Sequence, residues 1–128
     1  MGPVPTQPLD FSGDDRYAVA EWLPARVPGN VRADLLAAGR IPDPFVGRQV
    51  AASEWVDGCD WWFRRRLALL LGPTERAFVR FAGIDYISAA FAGDACLGRH
   101  EGMFSEQTHE LTAHLRRDPQ LDLAVRIW

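Results

Sequence analysis

The side chains that could do chemistry are few, and their spacing does not favour it. His109 and His114 bracket HELTAH, which has one residue more than the H-E-x-x-H of zinc hydrolases. Helical ligands at i and i+4 share a face, whereas at i+5 they diverge, and on a strand that spacing sends them to opposite sides. His100 is followed by Glu101 but has no second histidine at a ligand spacing. The three histidines therefore read as structural or surface groups, and no metal site is expected. None of the four serines lies in a G-x-S-x-G elbow, and neither Cys59 nor Cys96 has a basic cradle or helix start beside it. Carboxylates are plentiful, but the acid/base pair of a glycosidase is defined by separation in space, not by number. No catalytic residue and no cofactor is assigned.

Aromatic and cationic groups remain. The chain has five tryptophans in 128 residues. Indole faces stack on sugar rings, and they also fill the cores of β-sandwiches. Trp61 and Trp62 are adjacent, so on a strand one points into the core and the other outward, where it could meet carbohydrate. Trp22 and Trp55 read as packing anchors. Trp128 falls on the polar side of its strand, as a surface for a partner. Arg64, Arg65 and Arg66 form a basic run in which alternation puts the first and third on one face. A buried ion pair of Arg64 with Asp60 or Asp85 is the structural reading. Phosphate binding is the sharper one, and a net charge of −3 disfavours it.

The element that must position these groups is the stretch 22–47, WLPARVPGNVRADLLAAGRIPDPFVG. Proline followed by glycine forces a turn at 26–30. Asn30 suits the N-cap of a helix over 31–38, Gly39 the left-handed position after it, and Pro42 forbids continuation. A rigid arm, Ile41 to Phe45, follows. Strands are expected at 16–22, 61–71, 77–81, 86–92, 95–98, 108–115 and 121–128, with a loop over 48–60 and a hairpin turn at Gly93 and Asp94. In the last strand Leu121, Leu123, Val125 and Ile127 alternate with Asp122, Ala124, Arg126 and Trp128. Residues 1–15 read as a flexible segment and 16–128 as one antiparallel β-sandwich domain.

All 14 basic residues are arginine, and the acidic balance gives no field suited to nucleic acid. No apolar run reaches membrane-spanning length and no secretory signal is visible, so a soluble cytoplasmic protein is expected. Cys59 and Cys96 could pair, but read better as free thiols buried as small hydrophobes.

V-P-G-x-V-x-x-D-L-L-x-A-G-x-I-P-D-P-F-x-G, over 27–47, resembles the opening of the N-terminal domain of β-mannosidase-type enzymes of glycoside hydrolase family two. Two further stretches fit in order. Trp55 followed by Asp60, Trp61, Trp62, Phe63 and Arg64 is similar to that family's W…D-W-x-[YF]-R. Phe81, Gly83 and Asp85, then Leu97 and Gly98, then Met103 and Phe104 are similar to its F-x-G-x-D…G…M-F. The motif positions carried over as structural are Pro28, Gly29, Asn30, Asp34, Pro42, Asp43, Pro44, Arg64, Asp85, Met103 and Phe104. The sequence departs from the family at Arg48 and Gln49, where an Asp-Asn pair is usual, at Gly93 and Asp94, and at Gly102.

The resemblance implies an all-β, galactose-binding-like jelly-roll sandwich with one short helix and a Pro/Gly-rich wrapping arm, incomplete at its C-terminus. In that family the catalytic glutamates lie on a separate TIM barrel. This chain would then be an accessory domain, inactive alone, that packs on a barrel in cis or in trans. It would help shape the sugar pocket in the hydrolysis of terminal β-mannosides. The alternatives are a free-standing carbohydrate-binding module and a ligand-free interaction domain. If the last strand is a sheet edge, self-association through it and Trp128 is expected.

Overall fold

The structure, a computed structural model, describes residues 4–8 and 22–128, without the side chains of 4–8. It divides into two compact units, Met1–Phe63 and Arg64–Trp128. The expected strand at 16–22 lies outside the described residues apart from Trp22, which is not in a strand.

In the first unit, β1 (Val4–Pro8) lies between β2 (Leu23–Ala25) and the start of β3 (Trp61–Arg66), antiparallel to both. Thr6 pairs with Leu23 on one side and Phe63 on the other. Of the segment 1–15 expected to be flexible, Val4–Pro8 forms a strand, and the rest lies outside the described residues. Proline-rich sequence favours extended backbone, because each proline fixes its own φ and biases the residue before it toward β.

The turn after β2 contains a cis peptide between Val27 and Pro28. Asn30 then caps α1 (Val31–Ala37), its side-chain oxygen accepting the Ala33 N–H at 2.8 Å. Gly39, at φ 68°, closes the helix, with the Gly39 and Arg40 N–H groups donating to the Leu36 and Leu35 carbonyls at 3.0 and 2.8 Å. Where a loop was expected over 48–60, the chain forms a 3-10 helix, Gln49–Gly58. Its apolar side chains have no helical period to announce it. It is held instead by local bonds such as Ser53 Oγ to the Val50 carbonyl at 3.0 Å, and by Arg32, which reaches Asp57 at 2.8 Å and the Ser53 carbonyl at 3.3 Å. Leu23, Leu35, Ile41, Val56 and Trp61 make the core of this unit.

In the second unit, β5 (Ile87–Ala92) pairs antiparallel with β6 (Ala95–Glu101) and with β8 (Asp122–Ile127). The β5–β6 hairpin turns at Gly93, φ 56°, as its Gly-Asp pair predicts. A second, two-stranded sheet joins β4 (Phe78–Phe81) to β7 (Gln107–Glu110). The strand expected over 108–115 stops at Glu110, and α2 (Thr112–Arg117) follows. The side chains decide it: Leu111, Thr112 and Leu115 are all buried, a helical spacing that no alternating strand could bury together. Ala92, Leu111, Leu115 and Leu121 form the core here, with Leu67, Leu71, Val79 and Leu97 around them.

Strand β8 is not a sheet edge. β5 lies along one side, and on the other the chain leaving β3 bonds to the segment that opens β8. Leu67 N–H donates to the Leu121 carbonyl at 2.8 Å, Leu69 N–H to the Pro119 carbonyl at 2.9 Å, and Arg66 clamps Asp122 with two bonds of 2.9 and 2.8 Å. The backbone groups that self-association would have used there are already engaged. The sheets are antiparallel and strands dominate, as expected for the galactose-binding-like class.

Candidate functional site

Trp61 and Trp62 were the candidates for a sugar platform, and both are buried, at 6% and 3% exposure. Parity does send them to opposite faces of β3, but the start of this strand is covered on both. Trp61 packs among Leu23, Leu35, Ile41 and Val56 and donates its indole N–H to the Val56 carbonyl at 2.9 Å. Neither ring offers a face to a ligand, and the expectation that one points outward is corrected.

The arginine run is corrected too. Arg64 and Asp85 are both exposed, so a buried pair between those two is not formed. Arg66 of this run pairs with Asp122 on the surface. The bonds from Arg66, with the charge of Arg64 nearby, hold the Asp122 carboxyl below its ordinary value. Arg76 grips Glu110 in the same two-bond manner, at 3.0 and 2.9 Å, and with Thr112 lowers that carboxyl to about 2. Cys96 is exposed and Cys59 half-buried, both as free thiols, so only Cys59 approaches the expected burial. His109 and His114 lie on different elements, β7 and α2, where a single strand over 108–115 was expected. Among the described residues no cluster of three or more metal-ligating side chains occurs.

The motif residues hold loops in place. Asp34 is 7% exposed and accepts the Arg26 N–H on Oδ1 at 3.1 Å, which ties α1 to the turn before it. Its Oδ2 is buried without a hydrogen-bond partner, and burial pushes this carboxyl up. It lines a cleft of about 520 Å³ with Pro24, Val27, Pro28 and Ala37. Gly83 has no room for a side chain, because a Cβ there would overlap the Met103 carbonyl. The F-x-G-x-D and M-F pieces of the motif thus meet. At Gly98 a Cβ would lie 3.0 Å from His109 Cε1. His109 Nε2 in turn contacts Gln107 Oε1 at 3.0 Å, and Gln107 donates to the buried Ser88 hydroxyl at 3.1 Å. This polar chain joins β7 to β5 and was not foreseen, since nothing in the local sequence marks Gln107 as buried.

Exposed apolar groups are spread over both units, with Leu69, Leu70, Phe78 and Tyr86 among them, and two tips stand out. In the first unit the arm presents Phe45, 94% exposed, with Val46, Val50 and the partly covered Trp55. In the second, Phe104 is 95% exposed beside Met103. The sequence marked Phe45 as part of a rigid arm but not as its exposed tip. Trp128 is flanked by Arg99 and Arg126, whose guanidinium carbons lie 5.2 and 4.8 Å from its ring centre.

Comparison with known proteins follows this geometry. Residues 10–127 match the family described as glycosyl hydrolase 2 galactose-binding domain-like. The chain is 30% identical over 123 residues to β-mannosidase B of Thermothelomyces thermophilus, covering 92% of this chain and 14% of that enzyme. A β-D-mannosidase from Dictyoglomus thermophilum superposes with a TM-score of 0.78 at 26% identity, over 99% of this chain and 15% of that one. An exo-chitosanase from Amycolatopsis orientalis gives a TM-score of 0.79 at 17% identity, over 98% of this chain and 16% of that one, a likeness of fold alone. The chain spans about one-seventh of the length of the mannosidases it matches. Its motifs, its antiparallel sheets and a match over nearly its whole length agree, and the chain belongs to the galactose-binding-like domain family of glycoside hydrolase family two.

Proposed function

We propose that this chain serves a β-mannosidase-like glycoside hydrolase as a non-catalytic domain, packing against a catalytic barrel and helping to shape the pocket for a terminal β-mannoside. The observation that carries this reading is the joint extent of the matches: almost all of this chain, but only 14–15% of each mannosidase. The reacting carboxylates of such an enzyme then belong to other parts of it. The chain's own paired carboxylates fit a structural role. Asp57, Glu110 and Asp122 are each held by an arginine on the surface that lowers the carboxyl, the opposite of the raised pKa that a general acid needs.

The test is hydrolysis of an aryl β-mannoside by the chain alone and by the chain mixed with a β-mannosidase catalytic barrel that lacks its own copy of this domain. No release by the chain alone, and a higher rate for the mixture than for the barrel by itself, is the expected pattern. Turnover by the chain alone, abolished by changing one of its own residues, would overturn the proposal.

A further inference from the structure

We propose that the outward face of the arm, Phe45 with Val46, Val50 and Trp55, is the surface by which this domain docks on the catalytic barrel. The proposal rests on the reading just given and adds to it which residues make the contact.

Phe45 is exposed by construction, not by slack in the chain. Its N–H donates to Asp43 Oδ1 at 2.9 Å, a turn in which aspartate mimics backbone. Val46 N–H reaches the Asp43 carbonyl at 3.2 Å, and Gln49 N–H the Val46 carbonyl at 3.3 Å. Pro44 precedes the phenylalanine, and Gly47, at φ 60°, takes the left-handed conformation after Val46. The arm is anchored at both ends, by buried Ile41 before it and by buried Ser53 and Val56 after it. Trp55 is fixed by its indole N–H to the Ala52 carbonyl at 3.1 Å and by its ring against Trp61 at 6.1 Å. A fixed apolar face loses little freedom on binding, which is how preorganised contacts gain affinity.

Charge narrows the occupant. From Asp43 to Trp55 the arm carries the carboxylates Asp43 and Glu54 against the single guanidinium of Arg48. That balance suits neither an anionic lipid surface nor nucleic acid. A second copy across a two-fold axis would bring the acids toward their own counterparts. A partner within the same polypeptide is what the relatives offer, since the matching domain is about one-seventh of each mannosidase. The other exposed apolar places are smaller: Leu69 with Leu70, and Met103 with Phe104, the latter flanked by Glu101 and Glu106.

The experiment titrates the chain into a β-mannosidase catalytic barrel that lacks its own copy of this domain, by calorimetry, using the wild type, Phe45→Ser with Val46→Ser, and Phe104→Ser. The arm variant is expected to bind at least about tenfold more weakly, as loss of an aromatic anchor does at an interface. Its urea midpoint should stay at the wild-type value, because neither side chain is in the core. Phe104→Ser should bind like the wild type. Arm-variant binding equal to wild type, or weakening confined to Phe104→Ser, overturns the docking assignment and leaves the proposed function standing. Absence of binding by the wild-type chain removes the proposed function and this inference with it. Self-association of the wild type that Phe45→Ser abolishes in sedimentation assigns the arm to a second copy and overturns the barrel as its occupant.

Discussion

Replacing Gly29 by valine should be among the most damaging single changes in the first unit, for a reason the sequence misidentified. The Pro-Gly pair suggested a backbone conformation forbidden to branched residues, yet the glycines at positive φ are Gly39, Gly47, Gly93 and Gly102. What excludes a side chain at Gly29 is the Arg26 carbonyl. A Cβ would overlap its oxygen and come within 3.2 Å of its carbon. The carbonyl must therefore move, and it belongs to the residue whose N–H is bonded to Asp34 Oδ1 at 3.1 Å. Overpacking costs roughly 1–3 kcal/mol. Loss of a hydrogen bond to a buried carboxylate whose other oxygen has no partner adds about 1–2 kcal/mol. The expected destabilisation is thus about 2–5 kcal/mol. Gly39→Ala is the internal comparison: at φ 68° it is strained, but nothing lies within 4 Å of its new Cβ, so it should cost only about 1–2 kcal/mol. Urea midpoints read from tryptophan fluorescence compare the two. A Gly29→Val midpoint equal to wild type, or above that of Gly39→Ala, would refute the steric argument.

Three further outcomes follow from the geometry. Asn30→Ala removes the acceptor for the Ala33 N–H and should lower stability by about 1 kcal/mol, read from the same urea midpoint, with Asn30→Asp close to wild type. Glu110 is held near 2, below its ordinary 4.5, so its contribution is complete above about pH 4.5 and lost as pH falls toward 2. Arg76→Gln should accordingly flatten the decline in thermal midpoint across that window and leave the rest of the pH profile unchanged. Trp128→Ala loses its contacts with Arg99 and Arg126 and should cost about 0.5–1 kcal/mol for each, measured by thermal denaturation against Trp128→Phe.

The parts of the fold that were legible share one property: their signal is local. The cap at Asn30, the stop at Gly39 and the turn at Gly93 and Asp94 each depend on the conformation of a few neighbouring residues, and each is found where its sequence puts it. What failed depends on distant neighbours. Leu111 to Leu115 reads as the end of a strand, and the buried set of Leu111, Thr112 and Leu115 decides for a helix. Trp61 and Trp62 obeyed strand parity, but parity says only that they part, not that one side is wet. The 3-10 helix at Gln49–Gly58 is fixed by Arg32, whose partners lie more than 20 residues away in sequence.

The same distinction explains why the candidate site was harder to read than the family. The motif glycines at 83 and 98 mark where one loop or ring closes on another, at Met103 and at His109. Asp34 holds a turn, and Asp43 holds Phe45 outward. These residues recur as a pattern because they shape backbone, and a pattern of shape identifies a fold without naming what touches it. A binding residue on such a scaffold needs only to be presented, so its type is free to look ordinary in sequence. Phe45 is the case in point: between Pro44 and Gly47 it reads as one more apolar residue of a packing arm, and only the turn that Asp43 builds beneath it shows that it faces away from the core.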